Sequence, residues 1–200
     1  LGNSAQDPVL WSIAPGSAAT LPNGLTLAPD GTISGVPVAQ DDRFYNNITF
    51  RVTLAADPAI TSDYVRRIAV NTPPYWITPA GLVAVVARGG TLPALRLAAA
   101  DPQDASSSSP TYTVVAGSLP PGLNLSSVTN VKMDDLGATD LPPGLTGNSV
   151  ARVATLANAV ANSAVPGATY TFTLRATDNP PNGGTALSED RTFQIRIADM

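Results

Sequence analysis

The side chains that could carry chemistry on this chain are carboxylates, because cysteine and histidine are both absent. Their absence removes thiol nucleophiles, imidazole bases and the usual ligands of zinc, haem and iron–sulfur clusters together. Any bound metal must be hard and held by oxygen. Asp101 and Asp104 stand in an ADPQD segment just ahead of a strand, and Asp178 closes the stretch Ala176-Thr177-Asp178. Their plain reading is turn capping, by bonds to nearby backbone N–H groups. Asp134, Asp135 and Asp140 form a second acidic group. A glycosidase needs two acids about 5 to 10 Å apart across a sugar cleft; no aromatic platform or basic partner surrounds these three, so they read as a solvated loop. A serine nucleophile would have only Lys132 as its base, and no Ser-x-x-Lys motif is present.

The element that organises the chain is Leu21 to Pro37, LPNGLTLAPDGTISGVP. Leu21, Leu25, Leu27 and Ile33 are apolar anchors, with Pro and Gly punctuating the chain between them. Asp30-Gly31 between Leu27 and Ile33 is a strong hairpin signal, and its turn requires a positive φ at Gly31. The opening of the motif returns as LPPGLNL at Leu119 to Leu125 and as LPPGL at Leu141 to Leu145. Repetition of this kind on a strand-rich chain predicts repeated domains.

The run LPxGLxLxxDGTISGxP, the aromatic-rich strand Phe44 to Leu54, the Ala176-Thr177-Asp178 strand end and the last strand Arg191 to Ile197 follow one another in a known order. In this the chain resembles the Ig-like domain family that overlaps the dystroglycan-type cadherin-like domains, in two copies, the second interrupted. The resemblance implies tandem β-sandwiches and is nearly silent on function. It also implies that Asp101, Asp104 and Asp178 lie at one pole of the second domain, where such domains bind calcium, with Asn71 as a further carbonyl ligand. Two departures stand against that: the linker Val70-Asn71-Thr72-Pro73-Pro74 has no acid, and Asp101 and Asp104 are one residue further apart than Asp-x-Asp. The calcium and turn-capping readings both stay open.

The formal charge is -4, and ten of the eleven basic residues are arginine, with no basic cluster longer than Arg66-Arg67. This excludes a nucleic-acid footprint. The uncharged run Val153 to Leu174, the longest candidate for a membrane segment, carries Asn158, Asn162, Ser163, Pro166 and Gly167 and is too polar for a membrane span. Lack of cysteine leaves the redox compartment open. With Leu1 first and no initiator Met or signal peptide, the chain reads as a piece of something longer.

Taken in order, Val9 to Ile13 reads as a strand with Trp11 as a core anchor, and Ile48, Phe50, Val52 and Leu54 alternate as a strand with one buried face. Pro73-Pro74 makes a short, stiff boundary, giving domains at 1–72 and 73–200. Trp76, Leu82 to Val86, Leu92 to Leu97, Tyr112 to Val115, Tyr170 to Leu174 and Phe193 to Ile197 supply the second domain. Ala98 to Pro110, with Ser106 to Ser109, reads as a mobile loop. A long insertion occupies about 126–169, in which Val153, Leu156 and Val160 have helical spacing; a short helix is the alternative there, but Val and Thr weaken it, and strand or irregular chain is the leading reading.

The expected architecture is all-β: two tandem Ig-like or cadherin-like sandwiches forming a semi-rigid segment, the first lacking its first strand. An upstream segment or another chain should cover the edge so exposed. The expected role is a non-catalytic structural or adhesive module of an extracellular fibre or virion appendage, as in bacterial surface proteins and bacteriophage fibres, with neighbouring domains or subunits as partners. The alternatives are a carbohydrate-binding or cell-adhesion module recognising a surface glycan, and an accessory domain of a secreted polysaccharide-degrading enzyme. No nucleic acid and no membrane is expected as a partner, and Ca2+ is the one cofactor that enters.

Overall fold

The computed structural model describes residues 7–38, 44–101, 109–137, 141, 145–180 and 184–199. The chain divides into two compact units, Leu1–Val70 and Asn71–Met200.

Unit 1 contains β1 (Val9–Ile13), β2 (Leu25–Leu27), β3 (Ile33–Gly35), β4 (Phe44–Leu54) and β5 (Asp57–Ala69). They form one sheet in the order β1-β4-β5 and a separate β2-β3 hairpin. The hairpin closes as its sequence requires. Gly31 has φ +89°, its N–H donates to Ala28 O at 2.9 Å, and Asp30 Oδ1 accepts the Thr32 N–H at 2.8 Å. The turn lies against the Trp11 ring, and Trp11 N–H donates to Pro29 O at 2.8 Å. Trp11 is only half-buried, short of the core position its strand pattern predicts. The β2-β3 turn is a narrow cover, whereas Trp76 in unit 2 lies under a complete layer and is 2% exposed.

The repeated LPxGL motif folds identically in both places. Pro22 O accepts from Leu25 N–H at 3.0 Å and Pro120 O from Leu123 N–H at 3.1 Å. Both prolines are buried. The intervening glycines have φ +89° and +93°, and a Cβ would run into Val36 O at Gly24 and into Ala159 O at Gly122. Glycine is required there by a close approach of backbone as well as by φ. The third echo, at 141–145, falls largely outside the described residues.

Unit 2 contains β6 (Tyr75–Trp76), β7 (Gly81–Val86), β8 (Thr91–Leu97), β9 (Ala99–Ala100), β10 (Thr111–Gly117), β11 (Asn124–Lys132), β12 (Val150–Ala159), β13 (Thr169–Thr177) and β14 (Ser188–Ile197). One sheet runs β10-β13-β14-β7 and the other β11-β12-β8, with β6-β9 as a short pair. All ladders of the two sheets are antiparallel except β14-β7, which is parallel. The apolar faces meet in one core, where Phe172, Leu174, Phe193 and Ile195 from the first sheet pack with Leu97, Ala154 and Leu156 from the second. Trp76 joins it edge-on to Phe193, ring centroids 5.3 Å apart. This is the two-layer solution expected of alternating strands, and the chain is an all-β sandwich protein.

The long insertion holds most of β11, the 3-10 turn Asp134–Leu136 and β12. Val150–Ala159 is a strand, which corrects the helical alternative. Its residues Val153 to Leu156 are buried in succession because β12 lies between β11 and β8 with both faces covered. Ala154 and Leu156 face the main core, while Val153 joins Ala98 and Val131 in a second cluster roofed by Ile77 and Leu136. A strand buried on both faces shows no simple alternation, and small alanines imitate helical spacing. In the Ala98 to Pro110 stretch, Ala99–Ala100 pair with Tyr75–Trp76 as β9, and 102–108 lie outside the described residues.

Candidate functional site

A cluster of polar contacts in unit 2 forms where β13 ends. Asp178 follows the last β13 residue and is 4% exposed. Its Oδ1 accepts the Leu187 N–H at 2.6 Å and its Oδ2 accepts from Asn71 Nδ2 at 2.7 Å. Its own N–H donates to Leu187 O at 3.0 Å, and Asn71 Nδ2 also reaches Thr185 O at 3.2 Å. One carboxylate therefore ties together the end of β13, the chain returning to β14 and the first residue of the unit. Asn71 Oδ1 is buried and meets no hydrogen-bond donor among the described residues. Asn71, expected as a carbonyl ligand, meets Asp178 through its side-chain amide N–H.

Asp101, next after β9, is 2% exposed. Asp104 lies outside the described residues. Asp134 and Asp135 occupy the 3-10 turn, with Asp134 N–H donating to Gly147 O at 3.0 Å, and Asp140 lies outside the described residues. Among the described residues no three His, Cys, Asp or Glu gather as a metal site would require.

The displaced ionisations have structural causes. Asp30 is pulled below the ordinary carboxylate value by the Thr32 backbone N–H, Asp63 by its hydrogen bond from Arg51 and Asp190 by its hydrogen bond from Arg175. A carboxyl pushed down is already ionised at neutral pH and holds no proton to give, the reverse of the raised acid that hydrolytic chemistry uses. Burial pushes the Tyr112 hydroxyl up. That hydroxyl accepts from Ala99 N–H at 3.0 Å and lies 3.0 Å from Arg152 O and 3.2 Å from Ala99 O, donating to one of them at a time. It locks β9, β10 and β12 together. Arg191 Nη1 donates to Thr78 O at 3.1 Å, holding the chain between β6 and β7. No local pattern announces either contact; each joins residues remote in sequence.

No protein-family model matches the chain, and no curated protein matches it in sequence. Among solved structures, Drosophila N-cadherin EC1-4 is similar at 14% identity and a TM-score of 0.44, covering 97% of this chain and 42% of that one. Protocadherin gamma C5 EC1-3 is similar at 15% identity and a TM-score of 0.49, covering 97% and 56%. Protocadherin gamma B2 extracellular cadherin domains 3-6 are similar at 15% identity and a TM-score of 0.43, covering 96% and 43%. The chain spans about half the length of these structures or less. Among the described residues no helix is long and apolar enough to cross a membrane.

Proposed function

We propose that this chain is a non-catalytic structural and adhesive module of an extracellular fibre or virion appendage, in a bacterial surface protein or bacteriophage, built from two consecutive Ig-like or cadherin-like units. The observation that carries this reading is the use made of the polar side chains. Asp178, Asn71, Tyr112 and Arg191 all bond to backbone or to each other across remote segments, so these four polar groups are committed to holding the sandwich. Immunogold labelling of intact particles or cells of the source, with antibody raised against the full chain, tests it. Label along a surface filament is expected; label confined to the cell interior refutes it.

A calcium role for Asp101, Asp104 and Asp178 is favoured by one observation, the buried Oδ1 of Asn71, whose Nδ2 holds the Asp178 carboxylate. Two such oxygens suit a hard cation, although both Asp178 oxygens already accept hydrogen bonds. Calcium at about 1 mM, the range in which extracellular modules bind it, should raise the melting temperature of unit 2, and Asp178→Asn should abolish the rise. An unchanged transition refutes calcium binding and leaves the structural reading intact.

A further inference from the structure

We infer that unit 1 is an acceptor for a two-strand polypeptide arm with the chemistry of Gly81–Leu97, one strand adding in parallel to the free edge of β5 and the next covering β3. The template lies within the same chain. In unit 2 the three strands β10-β13-β14 continue into β7, which runs parallel to β14 with Phe193 level with Gly81 and Ile197 level with Val86. The following strand, β8, crosses to the other sheet and pairs with β12. Unit 1 has the matching order β1-β4-β5 and stops there: among the described residues β5 pairs only with β4, and β3 only with β2.

The ladders can be aligned residue by residue. Trp11 opposite Val52 and Ile13 opposite Phe50 in unit 1 correspond to Tyr112 opposite Ala176 and Val114 opposite Leu174 in unit 2. On that alignment β5 stands where β14 stands. The burial differs sharply. Phe193, Ile195 and Ile197 of β14 are wholly buried, whereas Asp57 to Arg67 of β5 are all exposed. Tyr64 and Arg66 lie opposite Phe50 and Ile48 and so share their inward face. Among the described residues the large apolar side chains that unit 1 buries are Ile48 and Phe50, while Tyr64 on the same face and Ile33 of the hairpin remain exposed. Among the described residues no second layer covers this face, and no strand pairs with the edge of β5 away from β4.

Such an edge recruits an extended chain by main-chain hydrogen bonds, with alternate side chains setting specificity. Asp63, Arg66 and Arg67 punctuate β5 and discourage indiscriminate pairing. Arg66 also suits a visiting backbone. In unit 2, Arg191, on the inward face of β14, donates to Thr78 O just ahead of β7; Arg66, whose Nη1 donates to Val65 O at 2.9 Å, carries further guanidinium N–H groups one pair further along the same face. The arm that fits is thus apolar at alternate positions, like LVAVV and TLPALRL, and brings carbonyls to the level of Arg66.

The test compares three full-length proteins: the chain itself, the chain with a copy of Gly81–Leu97 joined ahead of Leu1 by a flexible linker, and the same fusion with Asp at the copied Leu92 and Leu97. Peptide-resolved hydrogen exchange reads β5, and sedimentation reads assembly state. The expected result is fast β5 exchange in the monomeric chain, slowing by about tenfold or more in the fusion, with no slowing in the Asp-bearing fusion. Protection of β5 already present in the monomeric chain, protection gained only through self-association, equal protection by both fusions, or none by either would each overturn the inference.

Discussion

Replacing Gly31 by Ala should selectively destabilise unit 1, and the size of the effect can be worked out. Gly31 has φ +89°, and a Cβ there would lie 2.9 Å from both Cδ1 and Nε1 of Trp11, where ordinary contact begins at 3.4 Å. Holding a residue with a Cβ in the left-handed region costs about 1 to 2 kcal/mol, and overpacking costs about 1 to 3 kcal/mol. Trp11 is half-buried and can shift, so the second cost falls near its lower end. The expected loss is about 2 to 3 kcal/mol, a large share of the stability of a small unit. Gly16 supplies the control: its φ is +81° with nothing within 4 Å of a built Cβ, so Gly16→Ala carries the conformational cost alone. Urea titration followed by hydrogen exchange in peptides from each unit separates the two transitions. An unchanged unit 1 midpoint in Gly31→Ala would refute the packing of the hairpin turn on Trp11. A loss no greater than that of Gly16→Ala would refute the steric part alone.

Three further outcomes are expected. Asp178→Ala orphans the Leu187 N–H and the Asn71 amide, and should cost unit 2 about 1 to 3 kcal/mol in urea unfolding. Tyr112→Phe removes the hydroxyl shared by Ala99 and Arg152 and should cost a similar amount, about 1 to 3 kcal/mol, with the exchange increase concentrated in β9 and β12. The Arg175–Asp190 pair sets a pH dependence: its hydrogen bond holds the Asp190 carboxyl below the ordinary 3.8, so its stabilisation is present above that value and is lost as pH falls through the lowered one. Both side chains are well exposed, so the contribution is small and screened by salt. Acid unfolding of Asp190→Asn against the parent, at low and high salt, checks the sign.

What could be read from the sequence is what the chain encodes locally. Asp30-Gly31 fixed a turn because the required φ is a property of one residue, and the LPxGL repeats were legible because each closes its own bond within four residues. The paired strands β13 and β14 were equally plain, since Tyr170, Phe172, Leu174 and Phe193, Ile195, Ile197 alternate on a half-buried sheet. Val150–Ala159 stayed open between strand and helix because a strand covered on both faces has no polar side to mark its period. Trp11 was read as a core residue from its strand alone, and its half-exposure depends on a layer that the strand does not specify. The Asn71–Asp178 contact was legible only as a shared neighbourhood: the two residues are 107 apart, and the donor was identifiable only once both backbones were placed.

The parallel ladder of β7 and β14 also has a mechanical meaning. Tension along unit 2 draws β7 toward its Gly81 end and β14 toward its Ile197 end, opposite directions along one shared seam. The rungs of that seam, together with the Ala198 N–H bond to Val86 O at 3.0 Å, then carry load side by side instead of parting one after another. A seam loaded in shear yields only when many bonds fail at once, which slows the forced unfolding rate that governs endurance under pull. In unit 1, β4 lies between β1 and β5, so among the described residues no such seam joins β1 to β5.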